Sequence, residues 1–279
     1  MGPVGGEGAG ASGGARGAGR PGGTVAGSSG GAREAGAAPS GFCRAAEALV
    51  DRHGCRVEYL SGFLDSAEQQ GLFEQLREGA PWRREADACG TQQRLSCFLG
   101  DTGAVFWYVG LRLEPLPWCC GLEEIRRRLE HILECSLTAC LLNNYEEGRG
   151  FIAPHSDEVR AHGADKVVAS VSLGGARRML LCPRPGTAAE GEAAIDLVLE
   201  PGSVLVMRGQ TQALWEHELP LEEPAPHRIS LTFRSIVPGF EDALAAAATE
   251  AEKEEWGENG RGGGGSRAPS AAVLTTSEA

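Results

Sequence analysis

The sequence predicts a mainly β domain, an antiparallel sandwich or jelly roll, with helices on one outer face. Three observations carry this. Two segments with apolar residues at helical spacing come first, short strand-like runs follow from Thr138 onward, and Gly-rich stretches bracket the whole.

Fifteen of the 41 glycines fall in the first 40 residues, and seven more lie between Gly239 and Ala279. Those ends hold too few large apolar side chains to offset the entropy of ordering them. Residues 1–41 and 239–279 are therefore expected to be disordered arms, and 42–238 one folded domain with a full core. A short strand around Val57–Leu60 opens it. A helix capped by Asp65 or Ser66 follows, with Leu72, Phe73 and Leu76 on its inner face, and Gly79 and Pro81 end it. After the turn at 100–103, residues 104–109 read as a strand. Leu122, Ile125, Leu129, Ile132 and Leu133 fall on one face of a second helix. Strands are then expected at 138–145, 151–157, 167–173, 178–182, 195–199, 203–207 and 228–236. Turn signals such as Gly174-Gly175 and Pro201-Gly202 separate them, and 183–194 reads as a solvent loop.

Charge narrows the partners. The chain carries Lys+Arg 26 against Asp+Glu 38, a net −12. The leader holds +1 and the tail −5, which leaves −8 on the domain. Such a domain does not hold long nucleic acid by bulk electrostatics, so any polyanion contact must be local. No run of 18 apolar residues exists, which argues against a membrane partner. The nine cysteines contain no C-x-x-C pair, so a structural zinc site is not expected. With no apolar signal stretch at the N-terminus, they read as reduced, mostly buried thiols in an intracellular reducing compartment, nucleus or cytoplasm. An organelle stays open, because the leader contains Arg and little acid. The expected state is a monomer.

Three features of the strand-rich half carry chemistry. In His155-Ser-Asp157, residues two apart on an extended segment point the same way, so an imidazole and a carboxylate converge on one ion. A jelly-roll interior brings a third ligand from a distant strand, and His217 is the candidate. Two His and one carboxylate with open coordination positions suit non-haem Fe(II), although an H-x-D pair alone is a weak signal. His53, His131, His162 and His227 lack such a pattern and read as structural or exposed. Second, Arg228, Ser230, Thr232 and Arg234 share one face of a strand whose other face is Ile229, Leu231 and Phe233. Two arginines and two hydroxyls make a receptor for a small dicarboxylate. By alternation alone an exposed polar face is the commoner origin of such a pattern. Third, Asn143 and Tyr145 share a face and could donate into the same pocket.

In order and approximate spacing, Asn143-x-Tyr145, His155-x-Asp157, His217 and Arg228-x5-Arg234 resemble the AlkB-like Fe(II)/2-oxoglutarate dioxygenases, in particular the nucleic-acid-dealkylating members. The similarity runs from about Val57 to Val237. It implies a double-stranded β-helix core, with His155, Asp157 and His217 holding Fe(II). It also implies 2-oxoglutarate gripped by Asn143, Tyr145, Arg228, Ser230, Thr232 and Arg234, with O2 as the oxidant. The implied reaction is oxidative demethylation of an N-alkylated base in DNA or RNA, releasing formaldehyde, succinate and CO2. The same chemistry on a protein N-methyl-lysine or another small N-alkyl group is the alternative, and a binding module without catalysis is a third reading.

The substrate side departs from the pattern. By the resemblance Tyr108 stacks on the extruded base, while Phe106 stands where some relatives have a hydrogen-bonding Tyr. Many relatives read H-x-D-D-E; this chain reads His155-Ser-Asp-Glu158-Val-Arg160, so either Glu158 reads the base alone or the role has changed. The loop Cys89–Arg94 has no aromatic wedge to open a duplex. Methylated single-stranded DNA or RNA is therefore the expected partner. Arg94, Arg112 and Arg160 are candidate phosphate contacts, with exposed solubilising charge as the plainer reading.

Overall fold

The computed structural model describes residues 46–240 except 88–89, 109–110, 148–149 and 165. The expectations for the leader and for the tail beyond Phe240 lie outside the described residues, as do Cys43 and Cys89.

The chain opens with a hairpin of β1 (Glu47–Arg52) and β2 (Cys55–Leu60). Helix α1 (Ser66–Gly79) follows. Its N-cap is Asp65, whose Oδ1 accepts from the amides of Ala67 at 2.9 Å and Glu68 at 2.8 Å, while Glu68 Oε2 accepts from the Asp65 amide at 3.0 Å. This reciprocal box satisfies amides that a helix start leaves without partners. Two short strands β3 (Ala86–Asp87) and β4 (Gly90–Thr91) lead to β5 (Leu95–Gly100). The hairpin β6 (Phe106–Tyr108) and β7 (Leu111–Leu113) precedes α2 (Leu122–Leu133). The rest is β8 (Ala139–Tyr145), β9 (Ile152–His155), β10 (Val168–Gly174), β11 (Arg177–Pro183) and β12 (Ile195–Leu199). It closes with β13 (Val204–Gly209), the one-turn α3 (Thr211–Leu214), β14 (Trp215–Leu219) and β15 (Arg228–Arg234).

One sheet has the order β1-β2-β13-β10-β15-β8-β5, and the facing one β12-β11-β14-β9. From β8 to β15 the chain switches between the sheets at every step except the β11–β12 hairpin, which is the jelly-roll winding the sequence predicts. Phe73 and Leu76 of α1, with Leu122, Ile125, Leu129 and Leu133 of α2, cover the outer face of the larger sheet. Each such buried Leu or Phe contributes about 1.5–3 kcal/mol. Tyr59, Met179, Leu181, Leu205, Met207 and Trp215 fill the space between the sheets.

The larger sheet is thus buried on both faces, and this corrects the exposed-face reading of β15. Arg228, Ser230 and Arg234 are at most 4% exposed, because their side faces the second sheet and not solvent. Ile132, expected on the inner face of α2, is 40% exposed. It sits at the edge of a stripe that the other four residues already fill. Strands β1, β3, β4, β5, β7 and β14 were not among the expected strands, β4 falling in the stretch read as the Cys89–Arg94 loop, and β6 is shorter than the 104–109 run. Among the described cysteines, Cys55, Cys97 and Cys140 are buried, Cys119, Cys120 and Cys135 partly so, and Cys182 exposed; all are free thiols.

Candidate metal centre and co-substrate pocket

The centre is built where β9 and β14 pair. Their antiparallel register sets His155 directly opposite His217, with ring centroids 4.3 Å apart. Asp157 lies just past the end of β9, not within a strand running to 157 as expected. Two bonds turn the chain so that its carboxylate reaches the histidines. Ser156 Oγ donates to the Trp215 carbonyl at 3.0 Å, and the Asp157 amide donates to Gln212 Oε1 at 2.8 Å. One ligand atom from each of His155, Asp157 and His217 lies within 4.8 Å of the others.

The protonation states suit a cation. His155 Nδ1 is 2.9 Å from the Ala153 carbonyl, which only accepts, so that nitrogen carries the proton and Nε2 presents its lone pair. Burial, then the neighbouring His155, pushes His217 down to about 3, so it is a neutral donor near pH 7. Burial alone would raise the Asp157 carboxyl; Arg234, whose NH2 donates to Oδ2 at 2.7 Å, outweighs it and, with the two histidines, holds the group well below the usual carboxylate range. A carboxylate and two imidazoles at one point is the donor set of a divalent iron site.

Beside it lies a cavity walled by the inner faces of β8 and β15. Register brings Arg228 opposite Tyr145 and Ser230 opposite Asn143. Arg228 is 1% exposed, its guanidinium 5.5 Å from the centre of the Tyr145 ring, and its NH2 donates to Ser172 Oγ at 3.0 Å. Its Nε is buried without a protein partner. A buried cation with spare donors calls for an anion. Burial lowers Arg228 to about 10, which leaves it charged at neutral pH. Ser230 Oγ and Ser170 Oγ are 2.9 Å apart, and Thr232 adds a further hydroxyl on the same wall. All six residues expected to grip the co-substrate line this one cavity, together with the three expected to hold iron.

The geometry has counterparts among known proteins. Residues 56–234 match the 2OG-Fe(II) oxygenase superfamily. The chain belongs to that family. The alpha-ketoglutarate-dependent dioxygenase alkB homolog 3 of Bos taurus is 31% identical over 196 residues, 66% of this chain and 67% of that protein. The DNA oxidative demethylase ALKBH2 of Bos taurus is 33% identical over 144 residues, 50% of this chain and 51% of that protein. The solved structure of OsALKBH1 covers 68% of this chain and 100% of its own at a TM-score of 0.50 and 16% identity, a likeness of fold alone. The protein is accordingly a 2-oxoglutarate-dependent dioxygenase, using Fe(II), 2-oxoglutarate and O2.

Other expected positions of this oxygenase fall elsewhere. Arg94 is no surface phosphate contact: it is 5% exposed in the cavity wall, with Nε donating to Asn143 Oδ1 at 2.9 Å. Phe106 is 2% exposed and lies under the Arg234 guanidinium at 4.5 Å, behind the pocket and not on its wall. Glu158 is tied to Arg160, whose Nε is 3.1 Å from Oε2, and Arg112 pairs with Glu114. The side chain of Tyr108 lies outside the described residues. Sequence reasoning missed Ser170 and Ser172, although both stand out on β10 against Ala169, Val171 and Leu173. It also missed Gln212, for which the sequence held no signal.

His162, read from the sequence as structural or exposed, is 7% exposed and neither ring nitrogen has a protein partner. Burial, then Arg234, pushes it down to about 4. In the unfolded chain it titrates near 6.5, so the unfolded state takes up the proton first. The folded state is favoured fully above that pH and loses stability as pH falls toward about 4. Between pH 7 and pH 5 the loss from this group is about 2 kcal/mol. Urea melts at the two pH values are expected to show a smaller difference for His162→Leu than for the wild type.

Proposed function

We propose that this oxygenase removes N-linked methyl or other small alkyl groups from nucleobases in DNA or RNA, with preference for single strands. The observation that carries it is the joining of His155, Asp157 and His217 to an arginine-lined pocket, in a chain about 30% identical to relatives named for oxidative demethylation of DNA. His155, Asp157 and His217 hold Fe(II) on this reading. Bound iron, with O2 and 2-oxoglutarate, supplies the oxidation of a C–H bond. Arg228, with Tyr145 and Ser230 beside it, would pair with a carboxylate of 2-oxoglutarate, and Asn143 and Thr232 line the same cavity. Arg234 keeps Asp157 ionised and aimed. The products would be succinate and CO2 from the co-substrate, and formaldehyde with the free N–H from the substrate.

The strand preference follows from the cost of extruding a base from a duplex, a few kcal/mol, and from the lack of any aromatic residue in Cys89–Arg94 to offset it. The runner-up substrate, a protein N-methyl-lysine, is favoured by the net −8 of the domain and by Glu158 being engaged with Arg160. Succinate formation with Fe(II), 2-oxoglutarate and ascorbate tests both. Methylated single-stranded oligonucleotide is expected to stimulate turnover about tenfold more than the matching duplex. Equal or faster turnover on duplex would overturn the strand preference. Stimulation by methylated peptides alone would overturn the nucleobase reading.

A further inference from the structure

Arg177, the first residue of β11, belongs neither to the triad nor to the cavity wall, yet its side chain is 0% exposed. Its Nε donates to Glu222 Oε2 at 2.8 Å. Its NH2 donates to two main-chain carbonyls, Gly150 and Pro220, each at 3.1 Å. Those carbonyls occupy matching places. Gly150 lies two residues before β9, the strand that ends in His155; Pro220 follows β14, the strand that carries His217.

The β9–β14 ladder is short. Its partners are His217 with His155 and Leu219 with Ile152, with an irregularity between them. A slip in so short a ladder would turn a ligand away from the ion, and two backbone pairs hold it weakly. Arg177 bonds both strands at the end opposite the histidines. Gly150 is itself confined there: its φ is +86°, and a Cβ would stand 3.2 Å from Tyr145. A guanidinium is planar and rigid, so Nε on Glu222 fixes the direction of the one NH2 that meets both carbonyls, which a flexible ammonium cannot do.

We propose that Arg177 is a positioning residue for the metal centre, clasping the far ends of β9 and β14 so that His155 stays opposite His217. Glu222 orients the fork and offsets its charge, which lies close enough to Arg228 to be felt there. The inference rests on the triad binding a metal, and the test separates the two ideas.

The probe is Mn(II), an air-stable paramagnetic divalent ion, titrated into the full chain by electron paramagnetic resonance and paired with thermal melts. Wild type binds and Asp157→Ala does not; a wild type that binds no Mn(II) would overturn the triad reading and the clasp with it. Arg177→Gln is expected to weaken Mn(II) binding at least about tenfold, the usual cost of losing an outer partner of a metal site. Leu129→Ala, fully buried on α2 away from the ladder, lowers the melting point and leaves Mn(II) affinity unchanged. Arg177→Lys keeps the charge without the fork and is expected to lose about threefold or more. If Arg177→Gln does not fold, Arg177→Lys decides. Affinity within about twofold of wild type in the folded variant overturns the clasp.

Discussion

Asp157→Ala is expected to remove nearly all succinate formation. The carboxylate is the one anionic group of the triad, and without it two imidazoles remain to hold a dication. A metal centre stabilises charge in the reaction by several kcal/mol, and each 1.36 kcal/mol or so is tenfold in rate, so turnover falls on the order of 10³-fold or more. Succinate assays of the variant against wild type at saturating iron check this. Residual turnover within about tenfold of wild type would mean that the ion is held elsewhere.

The second large effect is on stability. Arg234→Met removes a cation 2% exposed whose NH2 is 2.7 Å from Asp157 Oδ2. Asp157 is itself 6% exposed, so the substitution leaves a buried carboxylate without its main counter-charge. Breaking such a pair from one side costs about 3–5 kcal/mol. The pair also has a pH signature. The Asp157 carboxyl is held below its ordinary value near 3.9, so the stabilisation is present above that pH and lost as pH falls further. Urea melts are expected to show a wide gap between wild type and Arg234→Met at neutral pH, narrowing below about pH 4. A gap that does not change with pH would mean that Arg234 stabilises by packing over Phe106.

Much of the site was legible because its residues recur at fixed short spacings. Alternation on β15 put Arg228, Ser230, Thr232 and Arg234 on one face, and the H-x-D spacing paired His155 with Asp157. What alternation did not tell is which face meets solvent. That depends on the second sheet lying over β15, a tertiary fact, and so the exposed-face reading was open until the layers were seen. Arg94 failed for a related reason: an arginine in a polar loop-like stretch reads as surface, and only the pairing of β5 with β8 carries it next to Asn143. β14 was missed as a strand because Glu216 and Glu218 dilute its apolar pattern, although the alternation Trp215, His217, Leu219 on its buried side was there. The 3.6-residue spacing of α1 and α2 carried its own answer, save at Ile132, where the stripe's edge meets water.

The placing of β15 has a consequence for how the protein is made. It is the last strand among the described residues, yet it lies inside the larger sheet between β10 and β8. A chain emerging from the ribosome in sequence order therefore carries His155, Asp157 and His217 before it carries Arg234, and Tyr145 before Arg228. Until β15 slots into the gap, Asp157 lacks its guanidinium and the anion pocket lacks a wall. Assembly is completed by a contact between distant parts of the sequence, the slow kind of step in folding. The three triad residues are thus all in place in the sequence before the strand that completes their surroundings.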